Sequence, residues 1–104
     1  MLIVMTTTLN ANEANSLART IIENKLAACV QILPPMTSVY FWDGEVQTES
    51  EHLLLIKTLE EKYEELERFI NANHSYDVPE IVAIKSEAVS NGYLKWLTEY
   101  VETR

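Results

Sequence analysis

Residues 37–58 read TSVYFWDGEVQTESEHLLLIKT, and their pattern decides the fold. Asp43 and Gly44 supply a two-residue step that tolerates positive φ, so the stretches on either side are the antiparallel arms of a hairpin. In the first arm Val39 and Phe41 point to one face and Tyr40 and Trp42 to the other; in the second, LLLI at 53–56 lacks alternation altogether. An arm of about twelve residues at about 3.3 Å each spans roughly 40 Å, whereas a helix of about 14 residues at about 1.5 Å per residue spans only about 21 Å. The hairpin therefore overhangs any ordinary helix packed on it. A bare edge with two apolar faces invites aggregation, and burial against sister chains is the simplest remedy.

Upstream of the hairpin, residues 2–8 (LIVMTTT) are short, apolar and β-branched, as expected of a central strand. Asn10 stands three residues before Glu13, the spacing of a helix N-cap, and Ala14, Leu17, Ala18 and Ile21 then share one helical face as far as about Asn24. From Ala27 to Trp42 the pattern is strand, interrupted at Pro34 and Pro35, which lack the N–H of a continuous ladder and imply a kink or bulge at an edge. Downstream, Thr58 is placed to cap a second helix with Glu61 three residues on, and Leu59, Tyr63, Leu66 and Ile70 form its buried stripe. EIVAIKSEAV at 80–89 reads as a fourth strand, and Ser90 begins a last helix carrying Leu94, Leu97 and Val101.

The order is β-α-β-β-α-β with an extra C-terminal helix, an α+β chain of the ferredoxin-like sandwich type with its helices on one face of one sheet. All 104 residues fit one domain, without linker, repeat or low-complexity tract. Sixteen acids against eight Lys and Arg leave a net charge of −8, which repels phosphate backbones and anionic membranes, so neither nucleic acid nor membrane is an expected partner. MLIVMTTT has no basic leader and too short an apolar run to span a bilayer, and the lone cysteine, Cys29, forms no internal disulfide. A cytoplasmic location is the expectation.

Chemistry concentrates in HSYDVPEI at 74–81, which holds one of only two histidines. A tight transition-metal site needs three or four converging imidazole or thiolate ligands, and each chain offers only Cys29, His52 and His74. A threefold axis multiplies one histidine, and Asp77 with Glu80 offers oxygen ligands to a hard cation without matching a strict loop motif. His74, Tyr76 and Glu80 are therefore read first as residues that shape the loop by hydrogen bonds. The acidic run EEKYEELE at 60–67 reads as a solvated helix face, Cys29 as a core residue, and Lys57 as a charge at a strand-to-helix corner in need of a partner. Acyl-phosphate chemistry on this topology needs a glycine-rich, arginine-bearing loop after the first strand; TTTLNAN has neither residue. No P-loop, dinucleotide fingerprint or Ser-His-Asp order occurs, so no enzyme is expected.

KLAACVQI, TSVYFWDGE, LLLIKT, HSYDVPEI and YLKWL, in this order over almost the whole chain, resemble the successive signatures of the CutA family of divalent-cation tolerance proteins. The resemblance implies a ferredoxin-like protomer, a compact homotrimer with sheet edges paired between chains, and a cytosolic protein linked to copper and other divalent metals. Members linked to copper carry a cysteine near the end of the first strand and two adjacent histidines before the fourth signature's Pro-Tyr. Those positions fall at Thr6, Asn73 and His74, and Ser75 replaces the proline, so His74 alone remains as a metal residue. No cofactor is required; the implied ligand is at most a weakly held divalent cation such as copper. Cys29, Tyr40, Trp42, Lys57, Tyr76 and Glu80 are candidates to line a cleft between subunits. The alternative is a trimeric small-molecule sensor resembling the PII signalling proteins, which needs basic residues such as Lys57 and Lys85 in those clefts.

Overall fold

A computed structural model describes residues 1–102. Five strands and three α-helices follow one another as β1 (Leu2–Thr8), α1 (Ala11–Glu23), β2 (Cys29–Ile32), β3 (Met36–Trp42), β4 (Glu45–Thr58), α2 (Tyr63–Asn73), β5 (Val82–Lys85) and α3 (Asn91–Glu102), with a 3-10 turn, Glu60–Lys62, leading into α2. All pairings are antiparallel, the sheet order is β2-β4-β1-β5, and β3 pairs with the other end of β4. This is the α+β ferredoxin-like arrangement with the additional C-terminal helix.

β4 organises the molecule. Its fourteen residues pair with β3 at one end, Trp42 opposite Glu45, and with β2 at the other, Cys29 opposite Lys57. Between these segments the chain advances from Ile32 to Met36 while its partners step only from Leu54 to Glu51, so one extra residue is accommodated where Pro34 and Pro35 cannot donate to the ladder. The Asp43-Gly44 turn has φ of 53° and 78°, positive at both residues as a tight hairpin demands. The hairpin does project, and the long dimension of the molecule is 44 Å.

One face of the sheet is closed. Val4, Leu54 and Ile56 pack with Leu17 and Ile21 of α1 and with Leu66 and Ile70 of α2 in a single core. Asn10 caps α1 by accepting the Glu13 N–H at 2.8 Å. Thr58 caps nothing: it is the last residue of β4, fully buried, and its hydroxyl donates to the Leu26 carbonyl at 2.7 Å. The strand continues where a cap was expected, because Thr58 still pairs with Leu2. The fourth strand expected over 80–89 is likewise confined to Val82–Lys85, the part that β1 can pair with.

The opposite face has a different fate. Ile3, Met5, Leu53 and Leu55 alternate with the core residues and remain only half-buried, and beside them Val82 and Ile84 of β5 are 46% and 51% exposed. α3 attaches at the far side, where the Tyr100 hydroxyl donates to the Ile22 carbonyl and the Lys25 ammonium lies 4.0 Å from the Tyr100 ring centroid.

Candidate functional site

Parity along the hairpin sets the site. Ser38, Tyr40 and Trp42 on β3 share a face with Glu51 on β4, and the loop after α2 folds over that face and brings Tyr76, Asp77, Val78, Pro79 and Glu80 to it. Together with Thr7 of β1 these residues surround a cavity of about 670 Å³. Among the described residues no Lys or Arg lines it.

His74 holds the loop in place. It follows the last residue of α2 with an extended backbone, φ −101° and ψ 146°, which ends the helix and turns the imidazole back onto the sheet. Nε2 lies 2.7 Å from the Thr7 carbonyl oxygen, and Nδ1 is 3.0 Å from the Tyr76 backbone nitrogen. A carbonyl can only accept and an amide N–H can only donate, so Nε2 carries the proton and Nδ1 is bare. The imidazole is fully enclosed, its ring 4.8 Å from that of Tyr76. Glu13 Oε1, buried and without a hydrogen-bond partner, stands 4.0 Å from Nδ1. For His74 the loop-shaping contacts read from the sequence are visible atom by atom, and neither nitrogen offers a free lone pair to a metal as the loop stands; Glu80, read with it, is exposed at the loop's margin and shows no such hydrogen bond among the described residues.

Tyr76 extends the chain of contacts. Its hydroxyl donates to Glu51 Oε2 at 2.7 Å. Burial, and next the hydrogen bond to the Glu51 carboxylate, hold the phenol well above the ordinary tyrosine value. Glu51 itself is only 6% exposed, and sequence reasoning did not single it out. Its one sequence signal is an acid immediately before HLLLI, on the same strand face as Leu53 and Leu55.

Among the expected cleft residues, Tyr40, Trp42, Tyr76 and Glu80 meet at this cavity. Cys29 and Lys57 do not: they face each other across β2 and β4, beside Tyr93 of α3, and Cys29, expected in the core, is only partly buried because it lies on the edge strand β2 outside the core cluster. The Lys57 ammonium lies 5.6 Å from the Tyr93 ring centroid, and burial, then the neighbouring Cys29 thiol, raise the Tyr93 hydroxyl above its ordinary value. Of the other positions that the resemblance linked to copper, Thr6 is buried with its hydroxyl unpartnered, and the Asn73 amide donates to the Phe69 carbonyl. Among the described residues no group of three His, Cys, Asp or Glu side chains is disposed to hold a metal ion. His52 is tied by Nδ1 to the Leu33 carbonyl at 3.0 Å.

Residues 2–100 match the family model described as CutA1 divalent ion tolerance protein. The chain belongs to the CutA1 family. It is 47% identical over 96 residues to the chloroplastic protein CutA of Arabidopsis thaliana, covering 92% of this chain and 53% of that protein, so it spans about half the length of that plant relative. The divalent-cation tolerance protein CutA of Thermus thermophilus is 41% identical over 97 residues, 93% of this chain and 94% of that one. The crystal structure of CutA1 from Oryza sativa superposes with a TM-score of 0.93 at 44% identity, covering 95% and 91% of the two chains. That of a CutA1 mutant from Pyrococcus horikoshii gives 0.95 at 34% identity, covering 99% and 100%. The family model and the Thermus relative bear a tolerance name, none of these relatives bears an enzyme name, and they lend no support to the sensor alternative. The named compartments vary: the Arabidopsis relative is called chloroplastic, and the CutA of Archaeoglobus fulgidus, whose structure is solved, is called periplasmic. No helix among the described residues is long and apolar enough to cross a membrane.

Proposed function

We propose that this chain acts as a homotrimeric, cytoplasmic, non-catalytic protein of the divalent-metal response, binding copper weakly through His74. The family match across residues 2–100 carries this reading. Self-association is supported by the half-open apolar sheet face of Ile3, Met5, Leu53 and Leu55, its exposed margin at Val82 and Ile84, and the projecting hairpin with Phe41 and Val46 in solvent. A closed ring of three covers such a face on every copy without leaving an open end. The lone thiol, Cys29, is free and suits a reducing compartment.

Weak metal binding follows from the histidine's engagements, because copper reaching Nδ1 must displace the Tyr76 N–H. Copper titration at micromolar protein, followed by light scattering and calorimetry, tests both halves. The expected result is a trimer with weak copper binding that His74→Ala removes, and a melting temperature that chelators leave unchanged, unlike that of a zinc-dependent fold. A monomer in light scattering would refute the assembly; undiminished copper binding by His74→Ala would move the site to Cys29 or the acidic face of α2.

A further inference from the structure

Asn91 and Gly92 form the one Asn-Gly pair in the chain, and the fold gives that pair no structural work. The dipeptide ordinarily serves a tight turn in which both residues take positive φ. Here it opens α3, neither residue has a positive φ, and a Cβ added at Gly92 would meet nothing within 4 Å. Glycine is therefore not required at position 92, and it costs helix stability there.

What the pair does have is freedom to react. Of the seven asparagines, Asn10, Asn15, Asn24 and Asn73 hold their side-chain amides in hydrogen bonds. The Asn91 amide makes none among the described residues, and both Asn91 and Gly92 are exposed. The helical ladder begins with the Leu94 N–H on the Ser90 carbonyl at 3.0 Å, so the Gly92 N–H lies ahead of it and has no helical partner. A terminal turn opens at little cost, and less still with glycine in it. Once it opens, Asn91 Cγ and the Gly92 nitrogen can meet.

We propose that Asn91 is a self-modification site at which the backbone nitrogen of Gly92 expels the side-chain amide. The nitrogen, having given its proton to water, attacks Asn91 Cγ. The N–Cγ bond forms, the Cγ–Nδ2 bond breaks, and Nδ2 takes up a proton and leaves as ammonia. Water then opens the resulting succinimide: at Cγ it leaves aspartate, and at the backbone carbonyl it leaves isoaspartate, with the main chain routed through Cγ. Water is the only co-reactant, and nothing is oxidised or reduced. Each event adds one negative charge to a chain already at −8. Aspartate at the start of α3 complements the helix dipole, whereas isoaspartate puts an extra main-chain carbon into the first turn, just ahead of Tyr93 and its contact with Lys57.

The reaction joins neighbouring residues and needs no pocket, so it rests neither on the copper reading nor on which hairpin face the assembly buries. Incubating the full chain for weeks in mildly alkaline buffer, in the assembly it adopts in solution, and mapping its peptides by mass spectrometry tests it. Peptides containing Asn91 should gain the mass of an amide-to-acid conversion and separate into two forms, one matching the Asn91→Asp chain and one isoaspartyl. The other asparagines are internal controls and should convert at least about tenfold more slowly, since none precedes glycine. Gly92→Ala, whose added methyl meets open space, should fold normally and slow the conversion about tenfold by restricting the backbone that must close. An unchanged mass at Asn91, equal conversion elsewhere, an aspartyl product without the isoaspartyl one, or undiminished conversion in Gly92→Ala each overturns the proposal. So does a folded-state rate about a hundredfold or more below that in urea, which would mean that α3 locks the pair.

Discussion

The two halves of β4 are one continuous strand in two environments: Leu54 and Ile56 are 0% exposed against α1 and α2, whereas Val46 is 71% exposed near the hairpin tip. The outer half holds one apolar side chain, Val46, paired with Phe41 of β3, and both are exposed, so an apolar side chain there is not buried within the protomer. What differs is the reach of the helices, which end before the sheet does. The covered half forms a conventional core, and the uncovered half is cohesive only toward something outside its own chain.

The largest effect is expected on the covered side. Leu54→Ala removes buried atoms from the centre of the core and should cost about 2–5 kcal/mol, measured by urea unfolding. Phe41→Ala, a larger truncation on the exposed arm, should leave the unfolding free energy of dissociated protomers within about 0.5 kcal/mol of the parent. A similar loss in both variants would erase the distinction between the halves. Trp42→Glu should act on the other side alone, shifting the light-scattering mass toward the monomer because a charge is costly in a buried contact, while circular dichroism stays native. An undisturbed assembly would mean that the Trp42 side of the hairpin faces solvent in it.

A smaller loss is expected where the loop is tied to the covered sheet. His74→Ala leaves the Thr7 carbonyl and the Tyr76 N–H without their partner and should lower stability by about 1–3 kcal/mol in urea unfolding. Smallest is an effect confined to alkaline solution. Because folding raises the Tyr76 hydroxyl above the ordinary value of 10.0, its contribution is complete below that pH and fades as pH climbs toward the folded value. Melting temperature should therefore fall between about pH 10 and 11, and less steeply in Tyr76→Phe. Parallel declines in the two proteins would assign the alkaline loss to other groups.

Much of the fold was legible because its signals are local. Asn10 and Glu13 announce α1, Asp43-Gly44 announces the turn, and the prolines announce the break before β3. Thr58 misled for the same reason: a cap and a strand end look alike over four residues, and only the pairing with Leu2 separates them. The site was half legible. Tyr40, Trp42, Tyr76 and Glu80 stand out by type, but Glu51 becomes distinctive only when a tyrosine 25 positions away closes over it. The engagements of His74 were equally hidden, since its partner carbonyl at Thr7 lies 67 positions upstream.

The place of β1 in the sheet order also has a consequence for the newborn chain. It is made before the other four described strands, yet it lies between β4 and β5, both of which come much later. At roughly 5–20 residues per second, a ribosome finishing Thr8 needs on the order of seconds to deliver Thr58, and longer to deliver β5. Throughout that interval LIVM at 2–5 has no ladder to join, and closure over so long a loop makes sheet formation slow as well as late. The segment that becomes an interior strand in the finished protein is therefore, during synthesis, the one most in need of a chaperone.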